Sequence, residues 1–185
     1  MTPTAQLEHI IPALSEVVHR IWHGQMEAPT PCAVFNVHDV IDHMIVVGGS
    51  FAPLFRGETP TEVTAPVVYG WVPASEFTET MSDLLAAVQS PGALDRTIPS
   101  PFGEVSGDTF ARFVAFDGLI HGWDLARATG QTWAPPTELV EAVEAFARVA
   151  ITPEMRDGHT FKDAKPAPAD ASPLDRLVAF SGRTA

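Results

Sequence analysis

Cysteine occurs once in these 185 residues, at Cys32, and tyrosine also occurs once. A lone cysteine excludes an internal disulfide and fits a reducing compartment. Basic residues are scarce: 11 Lys and Arg stand against 23 Asp and Glu, for a formal net charge of -12. That balance argues against a nucleic-acid partner, whose phosphates would be repelled, while it tolerates a divalent cation. Long apolar runs are missing as well. The longest, MIVVGG from Met44, falls far short of the ~20 residues that span a bilayer. The N-terminal MTPTAQLEHIIPALSEV has neither a basic leader nor a long apolar core, so no signal peptide is read. The expectation is a cytoplasmic chain with no membrane segment, folded as a single domain over 1–185.

What is present is mostly helical periodicity. Residues 4–24 place Leu7, Ile10, Ile11, Leu14, Val18, Ile21 and Trp22 on one stripe, which predicts an amphipathic helix. A second helix is expected from Asn36, where NVHD offers a capping arrangement, to about Phe51. Residues 52–73 carry several prolines and glycines and read as a long connection. A third helix lies near SEFTETMSDLLAAVQS, and LDRTIPSPFGEVSG is open between an irregular loop and a short hairpin. The fourth helix is expected over 108–129, with Asp108 as N-cap and Gly130 as C-terminal cap. A fifth starts near Thr137 and ends by Pro153; DAKPAPADASP then hugs the surface before a helical turn at LDRLVAF. The outline is an all-α bundle of four main helices, with short additional helices and long loops.

The fourth helix carries the chemistry. Successive residues advance about 100° around a helix. That puts Phe110, Phe113, Val114, Asp117, His121, Asp124 and Ala128 in one sector. Asp117 and His121 therefore sit one turn apart on an apolar face, and a buried carboxylate there needs a partner. A cation is one candidate, because a carboxylate and an imidazole at i and i+4 can reach one ion. Hydrogen bonding within the pair or to neighbouring helices is the other. A third ligand must come from another helix. His19 and His23 share the i,i+4 spacing, but with His9 they lie opposite the apolar stripe and read as solvent-facing. His43 borders Val40, Val47 and Phe51 and can turn into a bundle core, whereas His38 flanks the other side. His159 lies in an irregular region.

The segments TPCAVFNVHDVIDHMI, FDGLIHGWDLARATGQ and PLDRLVAFSGR resemble the DinB-like superfamily of four-helix metalloproteins. The resemblance is nearest to the branch related to the N-terminal domain of mycothiol-dependent maleylpyruvate isomerase, and it covers nearly the whole chain. Carried over position by position, it implies metal ligands at His43, Asp117 and His121. The isomerase has a glutamate at the Asp117 position, and many DinB-like proteins have a histidine there. Two imidazoles, one carboxylate and open positions suit Zn, Ni, Mn or Fe as the divalent ion. The resemblance further implies mycothiol or another low-molecular-weight thiol, activated for attack on a small electrophile. The chain lacks the isomerase's second domain, which favours a thiol S-transferase over that isomerisation. The rival readings are a metal- or ligand-binding bundle without turnover and a metal-dependent hydrolase. Bundles of this kind often form homodimers, and no stripe here decides it.

Five other features stand out. Asp124 either orients a ligand or pairs with Arg127, and the helix-end pairing is the preferred reading. Trp123 is expected to pack against a neighbouring helix. Cys32 has nothing basic beside it in sequence to activate it, and it reads as a small packed residue. Gly48 and Gly49 allow a backbone or a ligand to come close, and Trp71 is placed at a pocket mouth.

Overall fold

Three of the long helices begin on side-chain caps. Helix α1 spans Pro3–His19, and the Thr2 hydroxyl accepts from the Ala5 amide. Helix α2 spans Val37–Arg56 and opens on a capping box: Asn36 accepts from the Asp39 amide at 2.8 Å, and Asp39 accepts from the Asn36 amide at 2.9 Å. Helix α3 is Ala74–Val88. Strands β1 (Thr97–Ser100) and β2 (Gly103–Ser106) form an antiparallel hairpin in which Ile98 faces Val105. Helix α4, Gly107–Thr129, starts on Ser106 and ends on Gly130, whose φ of 71° is the left-handed closure that glycine permits. Helices α5 (Thr137–Ala150) and α6 (Pro173–Phe180) follow. This computed structural model describes residues 1–60, 74–100, 103–158 and 160–184, so Trp71 and His159 fall outside the described residues.

Helices α1 to α4 close a ring. Helix α1 packs on α3 and α4, α2 packs on the same two, and α5 packs on α4 and carries α6. Helix α4 is consequently hemmed in on several sides and buried almost continuously from Phe110 to Ala126. Glycines permit the closest approaches. A Cβ at Gly118 would stand 3.0 Å from Ile10 of α1, and one at Gly122 would stand 2.4 Å from the Trp133 ring. Fully buried Leu7, Ile10, Leu14, Phe55, Phe77 and Leu119 anchor the core, each worth about 1.5–3 kcal/mol of burial. The class is all-α, and no helix among the described residues is long and apolar enough to cross a membrane.

Several expectations are corrected. Helix α1 stops at His19, because the Arg20 and Ile21 amides bond three residues back, to Val17 and Val18, and tighten the last turn. Trp22 therefore leaves the stripe and stands 64% exposed. Helix α2 runs five residues past Phe51, carrying Pro53 in its last turns before Gly57 closes it. The N-cap of α4 is Ser106, and Asp108 instead pairs with Arg112 one turn on, at 2.8 Å. The segment left open between loop and hairpin is the β1–β2 hairpin. Helix α5 does end before Pro153, at Ala150, and a separate 3₁₀ turn holds Pro153–Met155.

Candidate metal centre

Helices α2 and α4 run antiparallel past one another. The His43 ring meets the His121 ring with centroids 5.1 Å apart, and eight residues further along α2 the Phe51 ring meets Phe110 at 4.6 Å. His43, Val47 and Phe51 repeat every four residues and so share the face of α2 that looks across this gap. From α4, Asp117 and His121 answer them.

Asp117 splits its two oxygens between the imidazoles. Oδ2 lies 3.6 Å from Nε2 of His43, and Oδ1 lies 3.4 Å from Nε2 of His121. The three donor atoms fall within 4.8 Å of one another. Good N–H···O bonds span about 2.7–3.2 Å, so these separations are too long for hydrogen bonds. The two distances run to different oxygens of Asp117, and one ligand atom from each of the three residues makes a set compact enough to gather on a single ion. The donor set therefore fits a divalent ion in its chemistry and can close on one.

His121 is held from behind. Its Nδ1 lies 3.0 Å from Oδ2 of Asp124, which is wholly buried. Arg183, from the C-terminal tail, donates to the same carboxylate from Nη2 at 2.8 Å and from Nε at 3.3 Å. Once Nε2 gives up its proton, the series guanidinium, carboxylate, imidazole keeps the remaining proton on Nδ1 and leaves the Nε2 lone pair on the side of Asp117. The preferred sequence reading of Asp124 is thereby overturned. It serves His121 and Arg183, while Arg127 lies over the ring of buried Trp123 at 5.8 Å.

The charges are strongly coupled. Burial alone would push the Asp117 carboxyl up, but His121 and His43 beside it outweigh that and hold it well below the ordinary carboxylate range. Burial would lower His121, yet Asp117 and Asp124 push its pKa up to about 9. In the metal-free protein the cluster is thus an imidazolium–carboxylate pair that an incoming cation must displace.

Above the cluster opens a cavity of about 310 Å³. Phe35 forms its near wall, with its ring 5.5 Å from His43 and 6.4 Å from His121. The loop before α2 holds Phe35: the Thr30 hydroxyl donates to the Phe35 carbonyl at 2.6 Å, and the Phe35 amide donates to the Cys32 carbonyl at 3.0 Å. Cys32 itself is half-buried and lines this cavity. Sequence reasoning missed Phe35, Cys32 and Arg183 as parts of the site. All three lie in segments that carry the resemblance, Cys32 and Phe35 in TPCAVFNVHDVIDHMI and Arg183 in PLDRLVAFSGR, but nothing in either segment shows that they face the cavity.

The remaining candidates fall elsewhere. His9, His19 and His23 are exposed. His38 pairs with Asp42 at 3.4 Å, apart from the cluster. Gly48 serves helix packing, since a Cβ there would stand 2.4 Å from Met81 of α3.

No family model and no solved structure matches the chain. Two proteins of Mycobacterium tuberculosis do match over its whole length. They are uncharacterized protein MT0763 of strain CDC 1551 / Oshkosh and uncharacterized protein Rv0738 of strain ATCC 25618 / H37Rv. Each is 34% identical over 185 residues, covering 100% of this chain and 99% of its own length. Identity at that level over nearly the full length of both makes the chain a member of the family of these two mycobacterial proteins.

Proposed function

We propose that the chain is a DinB-like metalloprotein that holds one divalent ion, Zn, Ni, Mn or Fe, at His43, Asp117 and His121. On this reading it is a thiol-dependent transferase, of the mycothiol type, acting on small electrophiles in a reducing compartment. The observation that carries the reading is the convergence of His43, Asp117 and His121 from two helices, with one ligand atom from each within 4.8 Å of the others and His121 held from behind by Asp124.

A bound divalent cation favours thiolate over thiol and so supplies a nucleophile at neutral pH. The protein's own groups do the rest. His43 and His121 offer neutral nitrogens and Asp117 a single negative charge, and Asp124 with Arg183 keeps the His121 ring turned. The phenyl rings of the cavity exclude water from the attacking sulfur. In the transfer, a sulfur lone pair forms the S–C bond, the leaving group departs with its bonding pair, and the thiol proton passes to solvent. Apart from the triad, the titratable groups among the described cavity-lining residues are Cys32, Lys162 and Arg183, and Arg183 is committed to Asp124.

The test is elemental mass spectrometry on tag-free protein, comparing wild type with His43→Ala, Asp117→Ala and His121→Ala. The expected result is near-stoichiometric metal that is lost in all three variants. Loaded protein is then given chlorodinitrobenzene with and without added cysteine thiol. Chromophore change that needs both metal and thiol supports the transferase. Metal-dependent ester cleavage without thiol would move the reading to a hydrolase, and metal without any turnover would move it to a binding bundle. A folded wild type that takes up no metal on reloading would overturn it altogether.

A further inference from the structure

Six of the chain's eleven phenylalanines line the cavity over the triad: Phe35, Phe51, Phe110, Phe113, Phe116 and Phe161. An all-purpose core would spread its rings through the bundle. Here they gather on one void, although Phe55 and Phe77 show that the core proper also uses phenylalanine. Their contacts give the void a direction. Phe35 sits against the two imidazoles at one end, while Phe51 and Phe110 close on each other at the other. The eight residues from His43 to Phe51 span roughly 12 Å at 1.5 Å each. Phe161 closes the side, 6.3 Å from Phe113 and 6.2 Å from Phe116. Val34, on the loop that carries Phe35, is 70% exposed and also lines the void, which extends the apolar lining toward solvent.

The charge at the triad end is equally specific. With an ion in place, two neutral imidazoles and one carboxylate leave a net charge of about +1. The other charged residues among the described lining are Lys162 and Arg183. Arg183 is answered by Asp124, so the balance left to a ligand is positive.

We propose that this cavity selects a small, mainly apolar molecule with one anionic head group. The head lies at the triad and an aryl or medium-length alkyl tail runs between α2 and α4 toward Phe51 and Phe110. The head half of this assignment rests on the metal reading above; the tail half does not. It also separates the roles of two reactants, because a sugar-bearing thiol is a poor match for a wall of six phenyl rings. The apolar anion is the electrophile or its product.

Calorimetric titration of zinc-loaded protein tests this with 4-phenylbutanoate, acetate and 4-phenylbutan-1-ol, and metal content is measured on the same samples. Each buried methylene is worth about fourfold in affinity, so acetate is expected to bind more than roughly 100-fold more weakly than 4-phenylbutanoate. The alcohol, with the tail but no charge, is expected to lose at least roughly tenfold. Phe51→Lys, at a half-buried position, should abolish the advantage of the long acid while leaving metal content unchanged; Phe51→Leu should keep most of it. Equal binding of acid and alcohol, or of long acid and acetate, would overturn the assignment, as would an unaltered Phe51→Lys. The two readings fail separately. Metal uptake without acid binding sinks the cavity assignment alone. Binding of the long acid that depends on Phe51, in protein that takes up no metal, sinks the metal reading and keeps the apolar tail site.

Discussion

Two aspartate–histidine pairs in this bundle have the same spacing along a helix and the same length across space. His38 and Asp42 on α2 are four residues apart with 3.4 Å between ring nitrogen and carboxylate oxygen, and Asp117 and His121 on α4 are too. Their chemistry diverges because of what surrounds them. A second imidazole, His43, stands beside Asp117, and its carboxyl is held below the ordinary range. A second carboxylate, Asp39, acts on Asp42, whose carboxyl is pushed up, chiefly by burial. Spacing alone therefore does not make a site. On the proposed reading, a third group of the right sign makes one, with a second layer such as Asp124 and Arg183 to hold it.

The largest expected consequence follows directly. His43→Ala, Asp117→Ala and His121→Ala should each cut metal content after dialysis to below roughly a tenth of wild type, since three protein ligands are the minimum of such sites. His38→Ala should leave it unchanged. Thermal denaturation makes the same distinction. An ion at 100 times its Kd stabilises the wild type by about 2.7 kcal/mol, and the triad variants should show no such gain. If His38→Ala strips the metal as well, the contrast between the pairs collapses.

The layer behind His121 comes next. Asp124→Asn keeps the volume but weakens the acceptor for Nδ1, and it should lower metal affinity by about 10–100-fold in chelator competition. Arg183→Ala should have a smaller effect in the same direction. Asp124→Ala leaves both a guanidinium and an imidazole without their carboxylate, and it should destabilise the fold by about 3–5 kcal/mol. An Asp124→Asn variant with wild-type metal affinity would reduce this layer to packing.

These residues also mark how much could be read from the sequence. The triad was legible because Asp117 and His121 lie one turn apart on one helix, and because the motif around His43 fixes its partner by resemblance. Caps were legible where their residues are local, as at Asn36 and Gly130. The pairing of Arg183 with Asp124 joins positions 59 residues apart and leaves no periodicity to detect. Phe35 and Cys32 reach the cavity through an irregular loop, where no repeat predicts direction. Trp22 misled because α1 tightens and stops at His19 without a glycine or proline to announce it. On α4 the notion of a single apolar face was itself too narrow, since the helix is packed nearly all round.

Acidity sharpens the contrast between the pairs. In chelated protein His121 keeps its proton up to about pH 9, and an ion can take Nε2 only after that proton leaves. Apparent metal affinity should therefore fall by about tenfold for each pH unit below 9, with about one proton released per ion bound. The sign for stability runs the other way. Because the folded pKa lies above the ordinary value of 6.5, the pair stabilises the metal-free fold fully below that value. The contribution is lost as pH rises through about 9. Chelated protein should thus melt lower at pH 9.5 than at pH 7, a drop that metal-loaded protein should not share. Equal pH profiles for the two forms would place His121 outside the metal's reach.

The smallest effect is expected at Asp42, and it is the strictest check on the comparison. Its Oδ1 is buried and has no hydrogen-bond partner among the described residues, and burial, the largest influence on its acidity, pushes its carboxyl up. An ionised carboxylate in that position destabilises the fold at neutral pH. Its raised pKa means that stability is regained as pH falls through the folded value and the charge is lost. Asp42→Asn removes the charge and keeps the shape, so its unfolding free energy should stay within about 0.5 kcal/mol of wild type at pH 7, on the stabilising side. Metal content should not change, even though Asp42 adjoins His43 in sequence, because neighbours on a helix point about 100° apart. Loss of metal in Asp42→Asn would mean that the turn containing His43 is oriented by its neighbour's charge. The two pairs would then be one network, and α2 would contribute more to the centre than a single ligand.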